Sequence, residues 1–171
     1  NMIFQLQKSD FYKVEDLIKN SNHELSLNAV IRGTSSGEIF VDNLNKPLST
    51  LIKTSECNVV AGKSDNKLFN AGIKEKLDFF FDQVTCDDEM WENRINEIHA
   101  NIALRKYVRR YYELDELKFV DFIKNLDNQY NLEYVSVETL NNFSFENIDK
   151  IKEWIRLEDI NTFNDYYLGA Y

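Results

Sequence analysis

Apolar residues along this chain follow two rhythms. The first is helical: Phe11, Val14, Leu17 and Ile18 recur at helix spacing behind Ser9 or Asp10 as a cap. The polar run "NSNHE", residues 20–24, stops that helix. The next stretch, "LSLNAVIRG", either extends the helical region or begins a strand, and Gly33 ends it in both cases. From Gly37 the rhythm changes to two. Ile39 and Val41 alternate with Glu38, Phe40 and Asp42, a polar turn "DNLNKP" follows, and Leu48, Thr50 and Ile52 form the next alternating face. "SECN" then turns the chain into "VVAG". Alternation across short turns predicts an antiparallel meander over residues 38–61. Pro47, the only proline, falls at a turn exit, where it removes no interior ladder bond.

Beyond Gly62 the helical rhythm returns. Phe69, Ile73, Leu77, Phe80 and Val84 draw one apolar stripe, with Phe79 off it, and Trp91, Ile95, Ile98 and Ile102 draw another. Helices are expected near 67–84 and 88–103, with His99 packed between helices beside the second stripe. "KYVRRYYEL" reads as a strand because it is rich in aromatic and β-branched residues. "DELKFVDFIKNLD" reads as a short helix turned inward through Leu117, Val120, Ile123 and Leu126. "LEYVSVETL" reads as a strand and "SFENIDKIKEWI" as a helix capped by Ser144, with Ile148, Ile151 and Ile155 inward. "DYYLGAY" is strand-like. The expected class is α+β, a mixed sheet with a central antiparallel meander flanked by helices. The expected organisation is an α+β unit over residues 1–104 and a strand–helix extension over 105–171.

Composition narrows the function classes. The chain carries 20 Lys and Arg against 29 Asp and Glu, a formal charge of −9. The six basic and seven acidic residues before Ala61 nearly cancel, so the acidity belongs to the remainder. Such a surface repels phosphate backbones, which argues against nucleic-acid binding. "RKYVRR", residues 105–110, is a local exception, but a nucleic-acid footprint needs basic residues spread across a face. Two cysteines, Cys57 and Cys86, and two histidines, His23 and His99, show no zinc-ligand spacing, so no metal site is expected. No apolar run reaches the roughly 18 residues of a membrane span. Reduced thiols and the lack of a signal-like N-terminus in "NMIFQLQKSD" suit a cytoplasmic protein.

The chemistry-bearing motifs are sparse. "AGKSDN", residues 61–66, follows a strand and precedes a helix, and Gly62, Lys63 and Ser64 have the residue types of a phosphate loop. A nucleotide-triphosphate loop needs glycine five residues before Gly62, where Cys57 stands, so that reading is rejected. An anion cradle at the helix start stays open beside an ordinary turn and cap. Asp87, Asp88 and Glu89 are adjacent carboxylates suited to the positive end of a helix dipole. No catalytic set is legible, and the catalytic residues are unknown from the sequence.

One longer segment carries a resemblance. "SGEIFVDNLNKPLSTLI" resembles part of the bacterial GNAT-like acetyltransferase family with an additional N-terminal domain. The matching order is Gly37, Ile39, Val41, Asp42, Asn43, Asn45 or Lys46, and Pro47. "VVAGKSDNKLF" looks like the family's strand, glycine loop and helix start, through Gly62, Asn66 and Phe69. "YVRRYYEL" and "NLEYVSVETL" resemble its later strand-forming segments. The family grips the pyrophosphate of acetyl-CoA with a [QR]-x-x-G-x-[GA] loop at a helix N-terminus, and no stretch of this sequence fits it. The Arg32-Gly33 pair fails because Ser35 stands where glycine is required.

The resemblance therefore implies a GNAT-like half-sheet serving as the accessory or substrate-side part of an N-acetyltransferase. It implies acetyl-CoA as cofactor of the presumed full-length protein, with no tight binding to this chain alone. The implied partners are a C-terminal acetyltransferase-like domain and an unidentified acyl acceptor. A homodimer is a further expectation. Substrate-side candidates are Asp42, Asn43, Arg109 and Tyr111. The alternative is a stand-alone binding or regulatory module without enzymatic activity. A reading frame continuing past Tyr171 into the coenzyme motif would select the first reading, and an immediate stop would favour the second.

Overall fold

The computed structural model describes residues 3–77, 82–110, 112–125 and 135–142. Its centre is a five-stranded mixed sheet in simple sequence order: β1 (Phe4–Gln5), β2 (Gly37–Val41), β3 (Ser49–Thr54), β4 (Asn58–Gly62) and β5 (Val84–Cys86). The first four run antiparallel, and β5 runs parallel to β4. The α+β class and the antiparallel meander thus stand as the alternation predicts.

The alternation is apolar on both sides. Ile39, Val41, Ile52, Val59 and Ala61 face one way, toward Phe11, Val14, Ile18, Leu27 and Val30. Phe40, Leu51 and Val60 face the other, toward Phe69, Ile73, Trp91 and Ile95. Helices cover both faces, so the meander strands read as near-continuous hydrophobic runs. The first face lies under α1 (Glu15–Ile18) and α2 (Glu24–Ile31), and the second under α3 (Lys67–Lys76) and α4 (Glu89–Ile98). "LSLNAVIRG" resolves as helix. Gly33, at φ 74°, ends it in the left-handed conformation that favours glycine. The parallel pair β4–β5 is joined through α3, as a parallel connection requires.

Several expectations fail, each for a physical reason. The first helix starts earlier than Ser9 or Asp10. A 3-10 segment, Lys8–Val14, runs into α1 with Gln7 at its cap position and no side-chain cap bond. Buried Leu6 donates its amide to the Ile39 carbonyl at 2.8 Å, and this pins the chain just before the turn. The helix expected to 84 ends at Lys76, with Leu77 already extended. Val84 joins β5 because the Asn58 amide and side chain both bind the Gln83 carbonyl, at 3.0 and 3.1 Å, and hold this stretch on the sheet edge. The next helix stops at Ile98, and Ile102 is exposed. Leu48 lies outside β3 and is exposed as well.

Downstream the departures grow. Residues 106–110 and 112–114 form no strand; a strand needs a ladder, and Lys106 and Arg109 are held by side-chain ion pairs with Glu92 and Glu56 instead. The predicted strand ending at Leu140 contains a helix, α6 (Val137–Asn142). Ser136 Oγ accepts the Thr139 amide and Thr139 Oγ1 accepts the Ser136 amide, both at 3.2 Å. That reciprocal pairing has the form of a capping box and outweighs the strand propensity of the valines. The expected helix over 115–127 appears as α5 (Glu116–Lys124), capped by Asp115, but none of its residues is buried. Leu126, the expected helix at 144–155, the strand-like 165–171 and Tyr111 lie outside the described residues. Among those described, no helix is long and apolar enough to cross a membrane.

Candidate functional site

Asp42 and Asn43 sit in the β2–β3 connection, and the fold consumes both side chains. Asp42 Oδ1 accepts the amides of Leu48 and Ser49 at 2.9 and 3.1 Å, and its Oδ2 accepts Asn66 Nδ2 at 3.2 Å. Asn43 Oδ1 accepts the amides of Asn45 and Lys46 at 2.8 and 3.1 Å. This is Asx-turn chemistry, which shapes the loop by using side-chain acceptors in place of a backbone ladder. Pro47 is buried within the same turn, two residues before β3 begins.

The Asp42–Asn66 bond ties this turn to the strand–loop–helix unit at β4 and α3. In parallel arrangements ligands settle beyond the carboxyl ends of strands, and here those ends are Gly62 and Cys86. Gly62, at φ +80°, lies so close to the Leu48 carbonyl that an added Cβ would stand 2.2 Å from its oxygen. The carbonyls of Gly62, Lys63 and Ser64 are occupied from within. The Gly62 carbonyl receives Trp91 Nε1 at 2.9 Å, and the Lys63 carbonyl receives Ser49 Oγ at 2.6 Å. The Ser64 carbonyl receives both Asn70 Nδ2 and Arg94 Nε, at 2.8 and 3.0 Å. The first amides of α3, from Leu68 and Phe69, are taken by Asn66 Oδ1 at 3.2 Å each. Trp91 is fully buried, with its ring edge-on to Phe69 at 6.4 Å. A phosphate needs free amides at a helix start. This loop presents bonded carbonyls, a capping side chain on the Leu68 and Phe69 amides, and a buried indole on its inner side, and the Lys63 amide is spent on the Leu48 carbonyl at 2.8 Å.

Open space lies beside β5. A cleft of about 730 Å³ runs between that strand, the end of α4 and residues 102–109. Gln83, Cys86, Asp87, Asn96, Lys106 and Arg109 contribute to its walls. Arg109 reaches Gln83 Oε1 at 3.3 Å and Glu56 at 3.6 Å, and Lys106 pairs with Glu92. Asp87 accepts bonds from Ser21 and Asn22, while Asp88 caps α4 by accepting the Trp91 amide at 2.7 Å. The three adjacent carboxylates therefore include one cap and one tether.

The thiols of this region are poor nucleophiles. Burial, reinforced by Asp88, Glu92 and Asp87, pushes Cys86 up to about 12. Burial also raises Cys57, against the opposing hydrogen bonds of Thr85 and Thr54. Thiolate chemistry is thereby disfavoured at both. His99 is buried, and that burial, with the charge of Lys74, lowers its basicity. Among the described residues no cluster of three or more His, Cys, Asp or Glu could hold a metal ion.

Among the described candidates, Asp42 and Asn43 are not brought together with Arg109. Asp42 stands at the Ser49 end of β3, whereas Arg109 binds Glu56 beyond the other end, about 20 Å away by strand rise. Of the described candidates, only Arg109 lines the cleft. Sequence reasoning missed Asn66, Asn70, Arg94 and Trp91 as the residues that close the loop. The helical stripe marked Trp91 as core but could not show where its indole N–H would point.

Comparison with curated proteins gives no match. The family model described as GNAT acetyltransferase matches residues 15–170, nearly the whole chain, including the meander, the glycine loop and the cleft-lining segment. The chain belongs to the GNAT acetyltransferase family.

Proposed function

We propose that this chain is the accessory, substrate-side part of a GNAT-like N-acetyltransferase and does not turn over acetyl-CoA by itself. Members of the family generally use acetyl-CoA. The observation that carries the reading is the closed β4–α3 loop. It is the described strand–loop–helix junction whose residues most resemble a coenzyme loop. The carbonyls of Gly62, Lys63 and Ser64 are bonded to Trp91, Ser49, Asn70 and Arg94, and the Leu68 and Phe69 amides to Asn66. The pyrophosphate motif is also missing from all 171 residues. The capped Leu68 and Phe69 amides and the Lys63 amide bound to Leu48 argue against a grip on the coenzyme's phosphates at this junction.

The reading assigns the pyrophosphate grip to a partner domain and the acyl acceptor to this chain. The cleft beside β5 suits the second role. Its size falls within the roughly 300–1,000 Å³ typical of small-molecule sites. Its walls combine amide groups from Gln83 and Asn96 with charges of both signs. Titration calorimetry of acetyl-CoA into the 171-residue chain is expected to show no micromolar binding. Micromolar affinity, worth about 8 kcal/mol, would overturn the proposal.

A further inference from the structure

The cleft beside β5 runs along an edge of the sheet. Residues 82–87 line it in unbroken succession. Successive side chains of a strand point to opposite faces, so a space that meets every one of them lies at the strand's edge. β5 is the last strand of the described sheet. The Asn58 amide binds the Gln83 carbonyl, and Val84 is paired with Asn58 and Cys86 with Val60. In that register Gln83 and Thr85 turn their backbone groups to β4, and Val84 and Cys86 turn theirs outward. The far wall, residues 102–109, supplies no strand to meet them.

The two ends of this edge differ in charge. At the carboxyl end stands Asp87, which among the described residues meets only the uncharged donors Ser21 and Asn22. Glu92 is neutralised by Lys106, and Asp88 is spent on the Trp91 amide. Burial and then the charges of Asp88, Glu92 and Asp87 raise the Cys86 thiol, so the local field at this end is negative. At the amino end the Arg109 guanidinium touches Gln83 at 3.3 Å and Glu56 at 3.6 Å, and its side chain stays 48% exposed. Asp87 and Gln83 are four residues apart, roughly 13 Å by strand rise.

We propose that the β5 edge binds a short extended peptide, antiparallel to β5, with its free amino terminus at Asp87 and its terminal carboxylate at Arg109. Main-chain groups of the added strand meet those of Val84 and Cys86, as when other sheet edges take peptides. Four extended residues reach about 13–14 Å, which matches the span between the two charges. The peptide's role as acyl acceptor rests on the accessory function proposed above, whereas its binding does not.

Titration calorimetry of tetra-alanine, N-acetyl-tetra-alanine and tetra-alanine amide into the 171-residue chain tests the proposal. Tetra-alanine is expected to bind, and each blocked peptide to bind about tenfold more weakly, because each gives up a hydrogen bond between charged groups. Asp87→Asn keeps an acceptor for Ser21 and should erase the penalty on the N-acetyl peptide alone. Arg109→Gln should erase the penalty on the amide alone. Hydrogen exchange gives a second readout: the Val84 and Cys86 amides should slow when tetra-alanine is added. No binding of tetra-alanine at millimolar concentration, equal affinity for the three peptides, or discrimination unchanged in either variant would overturn the proposal. Val84 and Cys86 amides already protected in the free chain would overturn it too, since the edge would then be taken by the chain itself or by a second copy. Failure of peptide binding leaves the accessory role standing. Micromolar acetyl-CoA binding removes that role and leaves the peptide site.

Discussion

Two parts of this protein use the same apolar alphabet to different ends. In the described part of residues 3–99 the meander has helical counterparts on both faces: β2, β3 and β4 bury Ile39, Leu51, Ile52 and Val59 completely between two helical layers. In residues 102–125 apolar residues are denser still, yet Val108, Tyr112, Leu114 and all of α5 stand exposed. Periodicity records which side of an element is apolar. It does not record whether another element arrives to cover that side.

The largest effect expected from this contrast is at Trp91. Trp91→Ala should cost about 3–5 kcal/mol in urea denaturation, because it empties the space under β4 and leaves the Gly62 carbonyl without its donor. Phe122→Ala in α5, on the flank away from the Val120 side, should change stability by no more than about 0.5 kcal/mol. Comparable losses at the two positions would mean that α5 is packed as firmly as the sheet.

A second experiment sharpens the contrast between the residues grouped as one site. Asp42→Ala removes the acceptor of two turn amides and of Asn66 and should destabilise by about 1–2 kcal/mol. Asn43→Ala should cost about half as much. Arg109→Ala loses one exposed ion pair and one long hydrogen bond, worth less than about 1 kcal/mol. Thermal unfolding of the three variants checks the order. An Arg109 variant as unstable as the Asp42 variant would make Arg109 a folding residue and weaken the case for the cleft.

The smallest effect concerns acid. His99 is buried with its pKa held below the ordinary 6.5. The unfolded chain therefore binds the proton more readily, and stability falls as pH drops below about 6.5. Below the depressed native value the loss is complete. Replacing His99 with Gln should flatten the part of the stability slope between pH 7 and 5 that the parent shows, read from denaturation midpoints. An unchanged slope would place the acid sensitivity in the carboxylates.

Much of the fold was present in the sequence. The alternation from Gly37 to Gly62 is local, since neighbouring side chains on a strand must point to opposite faces, and so the meander was legible. Gly33 and Gly62, which take the left-handed conformation, and the caps Asn66 and Asp88 mark their boundaries by residue chemistry alone. The errors came where two local signals competed. Val84 fits a helical stripe by spacing, but an open β4 edge and the Gln83 carbonyl claimed it for β5. Val135 and Val137 favour a strand, but Ser136 and Thr139 start a helix between them.

The site was less legible than the fold. Asp42 and Asn43 were visible as polar turn residues, and only the positions of the Leu48, Ser49, Asn45 and Lys46 amides show that the turn uses them up. The sequence by itself determined the order of the three meander strands, the lack of a pyrophosphate motif and the family, while β1 and β5 came only with the structure. The tertiary structure decided that Trp91 and Arg94 reach back some 30 residues to close the glycine loop. It likewise decided that Arg109 meets Gln83 and Glu56 and not Asp42. Hydrogen bonds between distant segments depend on directions fixed only after the layers have packed, and no local pattern encodes them.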